Sequence, residues 1–120
     1  MNSFNDLQLS PELTQAIQAL GYEKPSPIQA EALPVLMGEP TDFIGLAATG
    51  TGKTAAFGIP LIEKIDMDKE GVQGLILCPT RELAQQVTGA LNELGRFKGV
   101  RAIPIYGGAG YREHLRALLD

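Results

Sequence analysis

The sequence predicts an α/β protein built on a parallel sheet. Apolar stretches of strand length at 42–46, 74–78 and 100–106 alternate with amphipathic helical stretches, glycine or proline punctuates the junctions, and a Gly/Thr-rich loop carries the first strand into a helix. That alternation implies a sheet covered by helices on both faces, whose ligands bind beyond the carboxyl ends of the strands. Residues 47–54, 79–81 and 107–110 all fall there.

Each element has a local reason. Ser10 is the N-cap of a first helix and Pro11 its first helical residue; Leu13, Ala16, Ile17 and Leu20 follow at helical spacing until Gly21 stops it. Ser26, between Pro25 and Pro27, caps a second helix that turns Ile28, Ala32 and Val35 or Leu36 inward and closes at Gly38. Pro34 is expected to kink it by deleting the bond to the Ala30 carbonyl. A helix over 54–65 places Phe57, Leu61, Ile62 and Ile65 on one side, and the acidic stretch 66–71 is a turn. After the second strand and Pro79, a helix over 81–97 carries Leu83, Val87, Leu91 and Leu94, with Gly99 as its stop. Pro104 cannot donate to a ladder, so the third strand belongs at an edge or a bulge. Gly107, Gly108 and Gly110 open a last helix.

At 120 residues the chain makes one small domain, and 44% apolar with 20% charged residues is ordinary globular usage. No apolar run reaches the length of a membrane span, and Met1 is followed by the polar Asn2 and Ser3 instead of a signal-peptide pattern, so the expected address is cytoplasmic. The single cysteine, Cys78, has no disulfide partner and sits in an apolar run, as a packing residue does. The lone His114 lacks companions for a metal site and reads as a surface residue. Net charge is −4, but residues 1–70 hold four Lys/Arg against ten Asp/Glu, whereas residues 71–120 hold six against four. Any polyanion contact is therefore expected in the second half, where Arg96, Lys98, Arg101, Arg112 and Arg116 can add to the field.

The loop Ala47-Ala48-Thr49-Gly50-Thr51-Gly52-Lys53-Thr54 carries the chemistry. Gly50 and Gly52 let successive backbone N–H groups converge on phosphate oxygens at a helix N-terminus. Lys53 would lie against the β- and γ-phosphates, and the Thr54 hydroxyl is placed to ligate Mg²⁺. The pattern G-x-x-x-x-G-K-[ST] is met except at its first position, which is Ala47.

Phe4, then Gly21-Tyr22-x-x-Pro25-x-x-Ile28-Gln29, then the loop 47–54, then Pro79-Thr80-Arg81-Glu82-Leu83-Ala84, then Gly107-Gly108 together resemble the DEAD-box RNA helicases, in the family's order along nearly the whole chain. The family's phosphate loop begins with alanine, which accounts for Ala47. The resemblance implies the N-terminal portion of a RecA-like, P-loop lobe: a Q-motif region over 1–30, then the start of the ATP-binding domain over 31–120. It implies that ATP with Mg²⁺ is held by Phe4, Tyr22, Gln29, Ala48, Thr49, Gly50, Thr51, Gly52, Lys53 and Thr54, with Lys53 and Thr54 catalytic and Thr54 the metal ligand. It implies that Pro79, Thr80, Arg81, Gly107 and Gly108 grip the RNA backbone, without reading bases.

Two roles are open to Gln29. Its amide can pair with adenine N6 and N7, a pairing guanine cannot repeat, which favours ATP over GTP by about 1–3 kcal/mol. Ser26-x-x-Gln29 is equally a capping box, with the side chain turned back to the Ser26 N–H. Thr80 can likewise be a plain N-cap, and Gly107 and Gly108 mere turn residues.

No Asp-Glu-Ala-Asp run and no Ser-Ala-Thr motif occur in the sequence. By the resemblance they belong beyond Asp120, together with a second RecA-like lobe that supplies an arginine to the transferring phosphate. These 120 residues are therefore expected to be inactive alone and the whole protein to be an RNA-stimulated ATPase that unwinds short duplexes. A binding module without catalysis and a DNA translocase sharing the phosphate loop are the rival readings; the Gln29 frame and residues 79–84 count against the second.

Overall fold

The computed structural model describes residues 1–48, 50 and 52–107. A 3-10 turn, Phe4–Asp6, precedes four helices: α1 (Pro11–Ala19), α2 (Pro27–Leu36), α3 (Lys53–Lys64) and α4 (Arg81–Leu94). The caps are those written in the sequence. Ser10 Oγ accepts the Leu13 N–H at 3.3 Å, Ser26 Oγ the Gln29 N–H at 3.4 Å, and Thr80 Oγ1 the Leu83 N–H at 3.2 Å. The expected final helix and His114 lie outside the described residues, as do Arg112 and Arg116.

Helix α3 is the hub, packing against α1, α2 and α4. Having neighbours on several sides, it buries Ala55, Ala56, Ile59, Pro60 and Ile62, more than the narrow stripe its periodicity suggests; Phe57, Leu61 and Ile65 stay half-buried. Helix α2 runs on through Pro34, and its inner position goes to the fully buried Leu33 instead of Val35, which is 43% exposed. Helix α4 stops at Leu94, three residues short of expectation, because Gly95 is its C-cap and donates to the Leu91 carbonyl at 2.8 Å. Leu83, expected inside, is 40% exposed; α4 engages the core through Val87, Leu91 and Leu94. Phe4, Leu13, Ile17, Leu33, Ile59 and Ile62 complete that core.

Charged side chains tie the helices at their ends. Lys98 Nζ donates to the Ile62 and Glu63 carbonyls at 2.7 and 3.2 Å, satisfying the C-terminus of α3 where the helix dipole favours a cation. The Glu63 carboxylate accepts the Ser10 N–H at 2.7 Å, joining α3 to the start of α1. Lys64 Nζ donates to the Leu36 carbonyl at 2.9 Å, joining α3 to the end of α2.

The expected strands run without regular pairing: segments 40–48, 72–79 and 100–106 form no β-ladder among the described residues. Ile76 and Ala102 pack on the helical core, and Asn92 of α4 grips the third segment in both directions, accepting the Ala102 N–H at 2.8 Å and donating to its carbonyl at 3.2 Å. The opposite side is open: Ile44 and Leu46 are 89% and 91% exposed, Leu75 and Leu77 81% and 86%. Coverage on both faces is thus not seen among the described residues. Parallel strands have their ladder hydrogen bonds satisfied only by neighbours on either edge, and the helices here supply side-chain packing on one face and, through Asn92, the bonds of a single residue.

Candidate functional site

Gly52 is the N-cap of α3 in the left-handed conformation, φ 82°, and makes no side-chain cap bond; Gly50 is left-handed too, φ 78°. Without a capping side chain, the first N–H groups of α3 are directed at whatever lies before the helix, the arrangement that suits an anion. Lys53 is exposed and Thr54 half-buried at the first two helical positions. Thr49 and Thr51 lie outside the described residues.

Gln29 is 6% exposed and hydrogen-bonded through both atoms of its amide. Its Oε1 accepts the Ser26 N–H at 2.9 Å, so the capping box is formed, and its Nε2 donates to the Gly52 carbonyl at 3.0 Å. Sequence reasoning did not anticipate the second bond, which joins residues 23 positions apart and fastens α2 to the phosphate loop. A Cβ on Gly52 would collide with Gln29 Nε2 and come within 3.3 Å of Ser26 Oγ, so a side chain at this left-handed position would have to displace the Gln29 amide from its bonds.

Phe4 does not offer an open face. It is 6% exposed within the core, and its ring stacks behind Tyr22 at 6.2 Å between centroids and 27° between planes. Tyr22, 40% exposed, is the ring available to a ligand, with Phe4 as its backing. The carboxylate of Asp6, held below its usual range by the N–H groups of Asn2 and Ser3, fixes the turn that carries Phe4.

At the start of α4, Pro79, Thr80 and Arg81 are exposed, and the Thr80 hydroxyl oxygen accepts its capping bond. The Arg81 guanidinium sits over the Tyr106 ring, 5.6 Å from its centroid, beside exposed Gly107. Gly108 is outside the described residues. Lys98, counted above among the charges facing a polyanion, is committed to the carbonyls of α3, and Arg96 lies over Phe97 at 5.2 Å. Neither Tyr106 nor Lys98 could be placed from periodicity, since both roles depend on contacts across the fold.

The sequence model of the DEAD/DEAH box helicases matches residues 26–120. The chain belongs to that family. It is 51% identical over 119 residues to the DEAD-box ATP-dependent RNA helicase CshA of Bacillus cereus, covering 98% of this chain and 22% of that protein. The crystal structure of a DEAD box protein from Methanococcus jannaschii superposes with a TM-score of 0.87 at 38% identity, over 98% of this chain and 32% of the other. The Saccharomyces cerevisiae helicase Dbp5 bound to RNA and ADP BeF3 superposes at 0.76 with 40% identity, over 81% and 25%. This DEAD-box chain therefore spans between a fifth and a third of the length of the relatives it resembles.

No group of three His, Cys, Asp or Glu that could hold a metal exists among the described residues, and no described helix is long and apolar enough to cross a membrane.

Proposed function

We propose that this chain is the nucleotide- and RNA-contacting beginning of an ATP-dependent RNA helicase, and that the whole protein is an RNA-stimulated ATPase that opens short duplexes or remodels RNA–protein complexes. The observation that carries it is the uncapped, left-handed Gly52 at the head of α3, locked to the buried Gln29. A triphosphate fits there because the residues supply N–H donors, a cation at Lys53 and a hydroxyl at Thr54, with no side chain in the way at Gly50. Tyr22, backed by Phe4, gives the base a ring to stack on. Thr54 would be this segment's ligand to Mg²⁺, which when bound offsets phosphate charge. The carboxylates completing that site come from the part of the protein beyond residue 120.

Thr80, Arg81, Gly107 and Gly108, with Pro79 shaping the turn, contact the phosphodiester backbone, a mode without base preference. The open apolar sides of segments 40–48 and 72–79 are the surfaces on which the rest of the sheet forms, with the remaining strands supplied further along the chain. Residues 1–30 act as the adenine-side unit and 31–120 as the start of the ATP-binding domain. A second RecA-like lobe then closes over both ligands in a cytoplasmic enzyme.

The test is ATP hydrolysis by the full-length protein with and without single-stranded RNA. Stimulation by RNA that is lost in Lys53→Ala supports the reading, and hydrolysis indifferent to RNA refutes it. The 120-residue chain alone should show no turnover.

A further inference from the structure

We propose that Tyr106 is a positioning residue for RNA, holding Arg81 ready for the phosphodiester. The proposal rests on the backbone-contact reading above. Arg81 and Gln85 stand one turn apart on the same side of α4, and both engage Tyr106 from the third extended segment. The guanidinium lies over the ring at 5.6 Å, within cation–π range, and Gln85 Nε2 donates to the phenolic oxygen at 3.3 Å. The ring is thus fixed at its hydroxyl end while its face receives the cation.

This arrangement does what a free arginine cannot. An exposed arginine samples many rotamers and gives up that freedom when it grips a phosphate. A ring already holding the side chain removes part of that cost, and a contact over the ring face consumes none of the five guanidinium N–H donors. Tyr106 also immediately precedes Gly107, so one side chain couples the two backbone-gripping stretches, at 79–81 and 107–108. Its ring and its hydroxyl both engage α4, through Arg81 and Gln85, so its effect should fall on RNA and spare nucleotide.

The experiment is a salt series of anisotropy titrations with a fluorescein-labelled oligouridylate, using full-length protein saturated with a non-hydrolysable ATP analogue. Wild type, Arg81→Ala, Tyr106→Leu, Tyr106→Thr, Tyr106→Phe and the Arg81→Ala/Tyr106→Leu double variant are compared, with ADP affinity as the check on folding. Tyr106→Leu and Tyr106→Thr should weaken RNA binding about three- to fivefold, while Tyr106→Phe, which keeps the ring, stays within about 1.5-fold of wild type. The double variant should bind no more weakly than Arg81→Ala alone, and ADP affinity should be unchanged throughout. Independent, multiplying losses in the double variant overturn the proposal, as do ringless variants that bind RNA like wild type. An Arg81→Ala variant with undiminished RNA affinity instead refutes the backbone-contact reading itself.

Discussion

Alanine at Gly52 should damage nucleotide binding much more than alanine at Gly50, although both glycines have nearly the same backbone. Their φ values are 82° and 78°, so a Cβ costs each about 1–2 kcal/mol when the loop holds its left-handed form. The surroundings differ. A Cβ at Gly50 meets nothing within 4 Å, whereas one at Gly52 runs into Gln29 Nε2 and lies 3.2 Å from its Cδ. Gln29 cannot swing clear without giving up its bonds to the Gly52 carbonyl at 3.0 Å and the Ser26 N–H at 2.9 Å. At about 0.5–1.5 kcal/mol each, those two bonds add about 1–3 kcal/mol at Gly52 alone. Gly50→Ala should therefore weaken ADP binding by about tenfold, and Gly52→Ala by a further five- to hundredfold. Titration of a fluorescent ADP reads both values. Repeating the pair in a Gln29→Ala background isolates the steric part, and there the gap between the two sites should close. Equal losses at both glycines, or a gap that survives removal of the Gln29 side chain, would show that the Gln29 contact is not what separates the two sites.

Gln29→Ala by itself should cost about 1–3 kcal/mol of stability, since it loses both the capping bond to the Ser26 N–H and the bond to the Gly52 carbonyl, seen as a lower urea midpoint. Adenine reading adds a second consequence, a fall in the preference for ADP over GDP of at least about fivefold in competition titrations. Ile59→Ala, at a side chain with no exposure in the centre of α3, should destabilise the protein by about 2–5 kcal/mol in urea unfolding, whereas Leu83→Ala at its 40% exposed position should stay within about 1 kcal/mol. The Asp6 carboxyl titrates below its ordinary value because it accepts the Asn2 and Ser3 N–H groups, so its contribution is fully present above the unfolded pKa and is lost as pH falls through the folded one. NMR amide shifts of Asn2 and Ser3 should therefore move together as the pH drops below about 4, and in Asp6→Asn they should not.

Whatever short-range chemistry controls was legible in the chain. Ser10, Ser26 and Thr80 are caps because a hydroxyl one turn before an apolar periodicity has a definite set of N–H groups to satisfy, and all three make the bonds expected. The phosphate loop was legible for a similar reason: glycines at 50 and 52 followed by Lys-Thr suit very few backbones, and both glycines are left-handed. The family followed from several such local patterns in one order. Helix faces were read less well. Leu33 displaced Val35, and Leu83 stayed outside, because a helix presents several faces and its neighbours choose among them.

Contacts across the fold make Gln29 span from its capping box to the Gly52 carbonyl, set Phe4 behind Tyr22, and give Lys98 to the end of α3. Each joins residues far apart in sequence, where no periodicity can point. The strand stretches mark the same boundary from the other side. Their composition states β-structure, but a ladder is a property of paired segments, and stretches whose outward Ile44, Leu46, Leu75 and Leu77 remain in solvent have packing on one face only. Helices close their hydrogen bonds within four residues and so can be read from the chain alone; a sheet closes its bonds between segments, and only the assembled fold can say which.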